Sequence, residues 1–171
     1  MIKILIAPEY DYSISDKDIV IFLAGPIQGS YDWHSEFIDK LSKNIETDKN
    51  VIICSPKRIK KDDNFNYDEQ VNWESYYLHK SSKQGIIVFW LAKEKDHIEG
   101  RSYAQTTRFE LAEWWTKGQY IKDFKIVVGA DKEFNGLKYI NKKFKDTYKD
   151  FKLILNIDDL IQEIKKYINI F

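Results

Sequence analysis

Short apolar runs alternate along this chain with segments whose apolar residues recur at helical spacing. The runs predict strands at 18–25, 50–55, 85–92, 124–130 and 151–155. The first, third and fourth are almost continuously apolar, which is typical of strands buried on both faces of a sheet. Residues 3–7 could form one more strand.

Helical patterns fill the intervals between these runs. One apolar stripe comprises Trp33, Phe37, Leu41 and Ile45; others comprise Val71 and Leu78, then Leu111, Trp114 and Trp115, and finally Ile157, Leu160, Ile161, Ile164 and Ile168. Asn156 would cap the last helix, whereas a helix around 133–145 has a weaker pattern because Gly136 interrupts it.

Strand–helix alternation predicts an α/β fold with a doubly wound sheet. We expect about five mostly parallel strands, helices on both faces, and one domain spanning 1–171. In such sheets ligands bind beyond the carboxyl ends of the strands, where the strand order reverses. The segments that follow the strands are therefore the place to look for chemistry.

Charge and composition narrow the function classes. Lys+Arg and Asp+Glu both number 27, and this balance argues against a protein built to grip a nucleic acid polymer. The apolar runs are too short to cross a bilayer, and no secretory signal is evident, so we expect a cytoplasmic protein without membrane attachment. The single cysteine, Cys54, ends a strand-like run and is expected to be a buried structural thiol.

The loop after the first strand reads GPIQGS and precedes a helix, so it could approach an anion through backbone N–H groups. A plain strand–helix turn is the alternative. The loop after the second strand, 55–70, is long and charged, and it is either functional or a solvated face.

Two carboxylates are candidates for chemistry. Glu74 shares the inward stripe of its helix with Val71 and Leu78, so it must be paired, hydrogen-bonded or exposed to a cavity. Glu110 follows a long loop at the end of the third strand, in the first turn of a predicted helix. Thr107 and Glu110 also fit a capping box, which would give this acid a purely structural role.

Four ordered motifs, IFLAGPI, QVNWE, IIVFW and T-x-x-E-L-A-E-W, resemble the nucleoside 2-deoxyribosyltransferase-like family over about residues 19–129. The resemblance implies a flavodoxin-like fold and cleavage of the N-glycosidic bond of 2-deoxynucleosides. It matches the family nucleophile to Glu110, which Leu111, Ala112 and later Gly118 follow.

The resemblance further implies that Glu74 orients the sugar, provided that an extra helical turn before the third strand is an insertion. Gly85 stands where family members often carry Asp. The C-terminal carboxylate of a neighbouring subunit, here on Phe171, could complete the site.

Three functions stay open. The first is a deoxyribosyltransferase in which Glu110 attacks C1′ and a second base takes the sugar. The second is a hydrolase of deoxynucleoside monophosphates, with the Gly25, Pro26, Ile27 and Gln28 loop and Ser102 or Thr107 holding the 5′-phosphate. The third is a non-catalytic nucleotide-binding module.

Tryptophans supply two further expectations. Trp33, Trp73 and Trp90 lie near the ends of the first three strand–helix units, and we expect at least one to line the base site. The neighbouring Trp114 and Trp115 lie about 100° apart on a helix, so one should face a subunit contact in a homo-oligomer. The expected ligands are a deoxynucleoside or deoxynucleotide and a free base, with no cofactor or metal.

Overall fold

The computed structural model describes residues 1–59 and 65–171 and contains a five-stranded, all-parallel sheet. Its strands are β1 (Ile2–Ile6), β2 (Ile19–Ala24), β3 (Val51–Ser55), β4 (Gly85–Leu91) and β5 (Ile126–Ala130), in the spatial order β1-β3-β2-β4-β5. Residues of β2, β3 and β4 are all buried, and the almost continuous apolar runs predict this for β2 and β4.

The strand at the chain start exists, whereas the strand predicted at 151–155 does not. That segment makes only an isolated parallel bridge between Ile154 and Gly129 beside β5. Phe151 and Leu153 turn their side chains onto the core, and the chain then enters a helix capped by Asn156. The predicted number of five strands is therefore right, but the N-terminal strand β1 takes the place of the one predicted at 151–155.

The helices are α1 (Trp33–Asn44), α2 (Tyr67–Gln84), α3 (Gln105–Gly118), α4 (Leu137–Thr147) and α5 (Ile157–Ile168). Asp32, Asn66 and Asn156 cap α1, α2 and α5 by accepting a hydrogen bond from a backbone N–H of the first turn. Gly136 precedes α4 at a φ of 79°, so this glycine starts the weakly predicted helix rather than interrupting it.

Helices cover both faces of the sheet. One apolar cluster joins α1 and α5 to one face, with Trp33, Phe37 and Leu160 fully buried. The other joins α2, α3 and α4 to the opposite face. This confirms a doubly wound α/β fold with helices on both faces.

Trp114 and Trp115 are both buried within one chain, which removes the argument for a subunit contact. Trp114 packs against Phe124, while Trp115 stacks on Phe144 with a centroid distance of 3.7 Å. Trp115 is covered because α4 and the segment after it pack against that side of α3, through Phe144, Tyr148 and Phe151. Among the described helices, none has the length and apolar content needed to span a bilayer.

The strand order places a crevice at the carboxyl ends of β2 and β4. From β2 the chain passes to β3 on one side, and from β3 it crosses to β4 on the other side of β2. The connections therefore diverge between β2 and β4, which is where doubly wound sheets bind ligands.

Candidate active site

A cavity of about 670 Å³ opens at this crevice. Its wall comprises the loop after β2, residues 56–58 after β3, the first turns of α2, the loop after β4 and the start of α3. Of the residues predicted for the site, the cavity brings together Gly25, Pro26, Ile27, Gln28, Glu74, Ser102, Thr107 and Glu110. Residues 60–64 of the predicted functional loop lie outside the described residues.

Glu110 does not belong to a capping box. Helix α3 begins at Gln105, so Thr107 is in its first turn and Glu110 in its second. The residue at the N-cap is Ala104, with a φ of 55° and no side-chain cap hydrogen bond. Within the described residues, no side chain or backbone group donates a hydrogen bond to the Glu110 carboxylate. The interpretation of Glu110 as a capping-box acid is therefore wrong.

The pKa of Glu110 is raised to about 8, chiefly because burial disfavours the charged form and secondly because Glu74 and Glu113 repel it. A carboxyl group with this pKa holds its proton through much of the neutral range. Strongly shifted groups that line a cavity are typical of functional sites.

Glu74 enters the same cavity from α2. Burial raises its pKa as well, but a hydrogen bond from Gln70 opposes that shift. Gln70 lies one helical turn earlier on the same face, and its Nε2 donates to Glu74 Oε1 over 2.8 Å. The two carboxylates thus differ in one respect: Glu74 has a hydrogen-bond donor, and Glu110 has none within the described residues.

Gln70 is fixed in turn by the loop after β3. Its Nε2 also donates to the Pro56 carbonyl over 3.0 Å, while its Oε1 accepts from Arg58 Nε over 2.8 Å. Arg58 further contacts Glu69 and lies 5.0 Å from the Phe65 ring centroid. The sequence reasoning missed both Gln70 and Arg58.

The loop after β2 is held rigidly. A Cβ at Gly25 would collide with the Trp90 carbonyl oxygen and the Trp33 ring, so only glycine fits there. The Gly29 carbonyl accepts hydrogen bonds from the N–H groups of Lys95 and Asp96, over 2.7 and 3.0 Å. The loop that was predicted to approach a ligand closely is therefore clamped to the loop after β4.

The three tryptophans expected at the base site lie elsewhere. Trp33, Trp73 and Trp90 are at most 1% exposed, and none borders the cavity among its described residues. Each belongs to a core cluster because its side chain points from a helix stripe or a strand into the packed layers. Aromatic residues that do line the cavity are Phe22, Phe65, Tyr67 and Tyr103.

The start of α3 forms a second polar wall of the cavity. Its first-turn N–H groups have no capping side chain, and no acidic residue lies in this turn. Thr107 is 4% exposed and lines the cavity, and its hydroxyl has no hydrogen-bond partner among the described residues. Ser102 and Arg101 precede the helix, and Arg101 contacts Gln28 across the cavity. A helix N-terminus of this kind favours an anion.

The other candidate groups are accounted for simply. Cys54 is buried, and burial raises the pKa of its thiol, so the structural interpretation of this cysteine is confirmed. In the part of the chain that the structure describes, no group of three or more His, Cys, Asp or Glu side chains could hold a metal ion.

Comparison with protein-family models matches residues 18–134 to the family described as nucleoside 2-deoxyribosyltransferase like. The match spans more than half of the 171 residues, and the chain belongs to this family. The family implies an enzyme that transfers or hydrolyses glycosyl groups and a small nucleoside-type substrate. The comparison with curated proteins found no match.

The fold explains one departure from the family pattern. Gly85 opens β4 directly after α2 ends, and a Cβ there would collide with the backbone of Val20. A side chain at this position would require β4 to approach β2 differently where Gly85 pairs with Val20. The extra helical turn before this strand extends α2 to Gln84, and the helix still carries Glu74 into the cavity.

Proposed function

We propose that this protein is a nucleoside 2-deoxyribosyltransferase in which Glu110 is the nucleophile. The observation that carries the proposal is the environment of Glu110. This residue is half-buried in the cavity at the sheet's crevice, has no hydrogen-bond donor within the described residues, and is repelled by the charge of Glu74. A carboxylate with no structural partner in such a place is available to a substrate.

The reaction proceeds in two displacements at C1′. An oxygen of ionised Glu110 attacks C1′ as the bond to the base nitrogen breaks, and the electron pair leaves on that nitrogen, which takes up a proton. The nitrogen of a second base then attacks C1′, breaks the bond to the Glu110 oxygen and loses its own proton. The carboxylate is regenerated, and the configuration at C1′ is retained.

Glu74 supports this chemistry with negative charge. The transition state resembles an oxocarbenium ion, so a second carboxylate in the cavity stabilises the developing positive charge and can accept a hydrogen bond from a sugar hydroxyl. The absence of a 2′-hydroxyl eases formation of that cation, which supports a deoxyribose substrate.

The cavity fits a nucleoside in size and lining. Its volume of about 670 Å³ lies within the usual range for small-molecule sites. Phe65 and Tyr67 offer exposed ring faces at its wall, on which a flat base could stack. In this proposal, Phe65 and Tyr67 take the role that the sequence predicts for a tryptophan.

A hydrolase of deoxynucleoside 5′-monophosphates is the second candidate. The uncapped start of α3, the Thr107 hydroxyl and Arg101 favour it, because together they would suit a phosphate. A binding module without catalysis is less well supported, since two half-buried carboxylates whose pKa values burial raises, with Glu74 raising that of Glu110 further, serve no evident purpose in binding alone.

One experiment separates the candidates. The protein is incubated with deoxynucleosides and their 5′-monophosphates, with and without a different free base, and products are separated by chromatography. A transferase forms the exchanged nucleoside only when the second base is present. Free sugar or sugar phosphate, formed whether or not base is added, would reject transfer in favour of hydrolysis, and no turnover of any substrate would reject both.

A further inference from the structure

The side chain of Gln70 has only one orientation that satisfies its neighbours. Its Oε1 faces the Arg58 Nε–H, and its Nε2 faces two acceptors, Glu74 Oε1 and the Pro56 carbonyl. A flipped amide would set N–H against N–H at Arg58 and oxygen against oxygen at the other two contacts. Gln70 is 9% exposed, so water cannot readily compensate such a mismatch.

This orientation treats the two carboxylates unequally. A fixed N–H donor binds an ionised carboxylate more strongly than a protonated one, so it favours charge on Glu74. Charge on Glu74 then disfavours charge on Glu110, which receives no such donor from the described residues. The difference arises from one hydrogen bond that reaches one carboxylate and not the other.

Other charged groups around the pair are largely engaged elsewhere. Of the described cations that line the cavity, Lys57 pairs with Asp32, Arg101 contacts Gln28, and Arg58 contacts Gln70 and Glu69. Three further acids lie near the two carboxylates. They are Glu113 on α3 and Glu94 and Asp96 in the loop after β4. Glu94 contacts His97, and Glu113 pairs with Lys117.

Building on the proposed function, we propose that Gln70 is a positioning residue: anchored by Arg58 and the Pro56 carbonyl, it keeps Glu74 charged and leaves the proton of the pair on Glu110. Glu74 is thereby ready to face a developing cation before substrate arrives. Glu110 becomes a nucleophile only on losing that proton, so Gln70 helps to set the pH at which the site becomes active.

The test is a site-resolved titration that does not require catalysis. Glutamate side-chain carboxyl carbons are labelled with ¹³C, their NMR shifts are followed against pH, and Glu74→Gln and Glu110→Gln identify the two signals. In the wild type, Glu74 should lose its proton at lower pH than Glu110. In Gln70→Leu, the Glu74 midpoint should rise by about one unit and that of Glu110 should fall, because one hydrogen bond to a charged group is lost.

Two further variants keep the result interpretable. Gln70→Asn shortens the side chain by one methylene, retains its polarity and should give the same change, even where Gln70→Leu fails to fold. Gln84→Leu is the matched control, because Gln84 is on the same helix but donates to the Ser15 and Asp18 carbonyls. It should move neither midpoint.

Three results would overturn the inference: midpoints unchanged in both Gln70 variants, equal shifts in the Gln84 variant, or a wild type in which Glu74 titrates above Glu110. The expected titrations in a protein that cleaves no nucleoside would instead reject the proposed function and leave the role of Gln70 intact.

Discussion

Glu74 and Glu110 line one cavity from two different helices, and the charge on Glu74 contributes to raising the pKa of Glu110 to about 8. Burial is the larger cause. Because the two groups interact, they titrate as a pair, and each midpoint depends on the state of the other.

Removing the carboxyl group of Glu110 should stabilise the protein at neutral pH. The folded state raises the pKa of Glu110 above its unfolded value, so the unfolded chain binds fewer protons between about pH 4.5 and about pH 8, and the free energy of unfolding falls over that window. Glu110→Gln removes this loss. Its melting temperature should exceed that of the wild type near pH 8 and approach it near pH 4.5, as measured by calorimetry.

Glu163→Gln is the control for that comparison, since Glu163 lies on α5 and pairs with Lys166 away from the cavity. It should show no pH-dependent gain. An equal difference between Glu110→Gln and wild type at both pH values would contradict the shifted pKa.

The rate should rise with pH up to about 8. Attack at C1′ requires the ionised form of Glu110, so kcat/KM should fall about tenfold for each pH unit below the pKa. Glu74→Gln removes one cause of the upward shift and should move the midpoint to lower pH, even though its maximal rate is reduced. A pH-independent kcat/KM between about pH 6 and pH 9 would argue against Glu110 as the group that must ionise.

Much of the fold follows from the sequence because apolar periodicity reports burial directly. Continuous apolar runs became fully buried strands, and the stripes at Trp33 and at Ile157 became helices on one face of the sheet. The segment 151–155 has the same apolar character, but its residues pack on the core as a single bridge beside β5. Apolar content alone does not distinguish these two outcomes.

The candidate site was only partly predictable. Glu74 and Glu110 could be found because a carboxylate on an inward stripe, or after a central strand, breaks the local pattern. The same stripe that predicted α1 also buries Trp33, so its assignment to a base site ignored a signal already present. Phe65 and Gln70 lie in or after a polar loop without periodicity, and their contacts with Arg58 exist only in three dimensions.

The aromatic wall should affect the balance between transfer and hydrolysis. Tyr67→Ala removes a ring on which the acceptor base could stack, and the loss of ~1 kcal/mol of stacking should lower the ratio of exchanged nucleoside to free sugar roughly fivefold. Chromatography of both products measures this ratio. Tyr120→Ala is the matched control, because Tyr120 is 85% exposed and does not line the cavity.

Trp73→Ala should behave differently, as a core substitution that destabilises the fold by about 3–5 kcal/mol. If it changed the product ratio while leaving the melting temperature unaltered, a base-site role for Trp73 would be restored.

A substitution near the start of α3 should show whether the substrate is a nucleotide or a nucleoside. If a 5′-phosphate binds there, Arg101→Gln should raise KM for deoxynucleoside monophosphates roughly tenfold and leave KM for deoxynucleosides unchanged. Lys95→Gln, in the same loop but outside the described cavity wall, should affect neither. Equal effects of Arg101→Gln on both substrate classes would contradict a phosphate site and favour a general role in loop closure.

The central claim is that Glu110 forms a covalent bond to the sugar, and mass spectrometry of acid-quenched reactions tests it most directly. With a deoxynucleoside donor and no acceptor base, the wild type and Glu163→Gln should carry one 2-deoxyribosyl group on the peptide that contains Glu110. Glu110→Gln should stay folded, carry no such group and release base at a rate lower by orders of magnitude. Base release at a wild-type rate by Glu110→Gln, or a sugar adduct on another residue, would contradict the account.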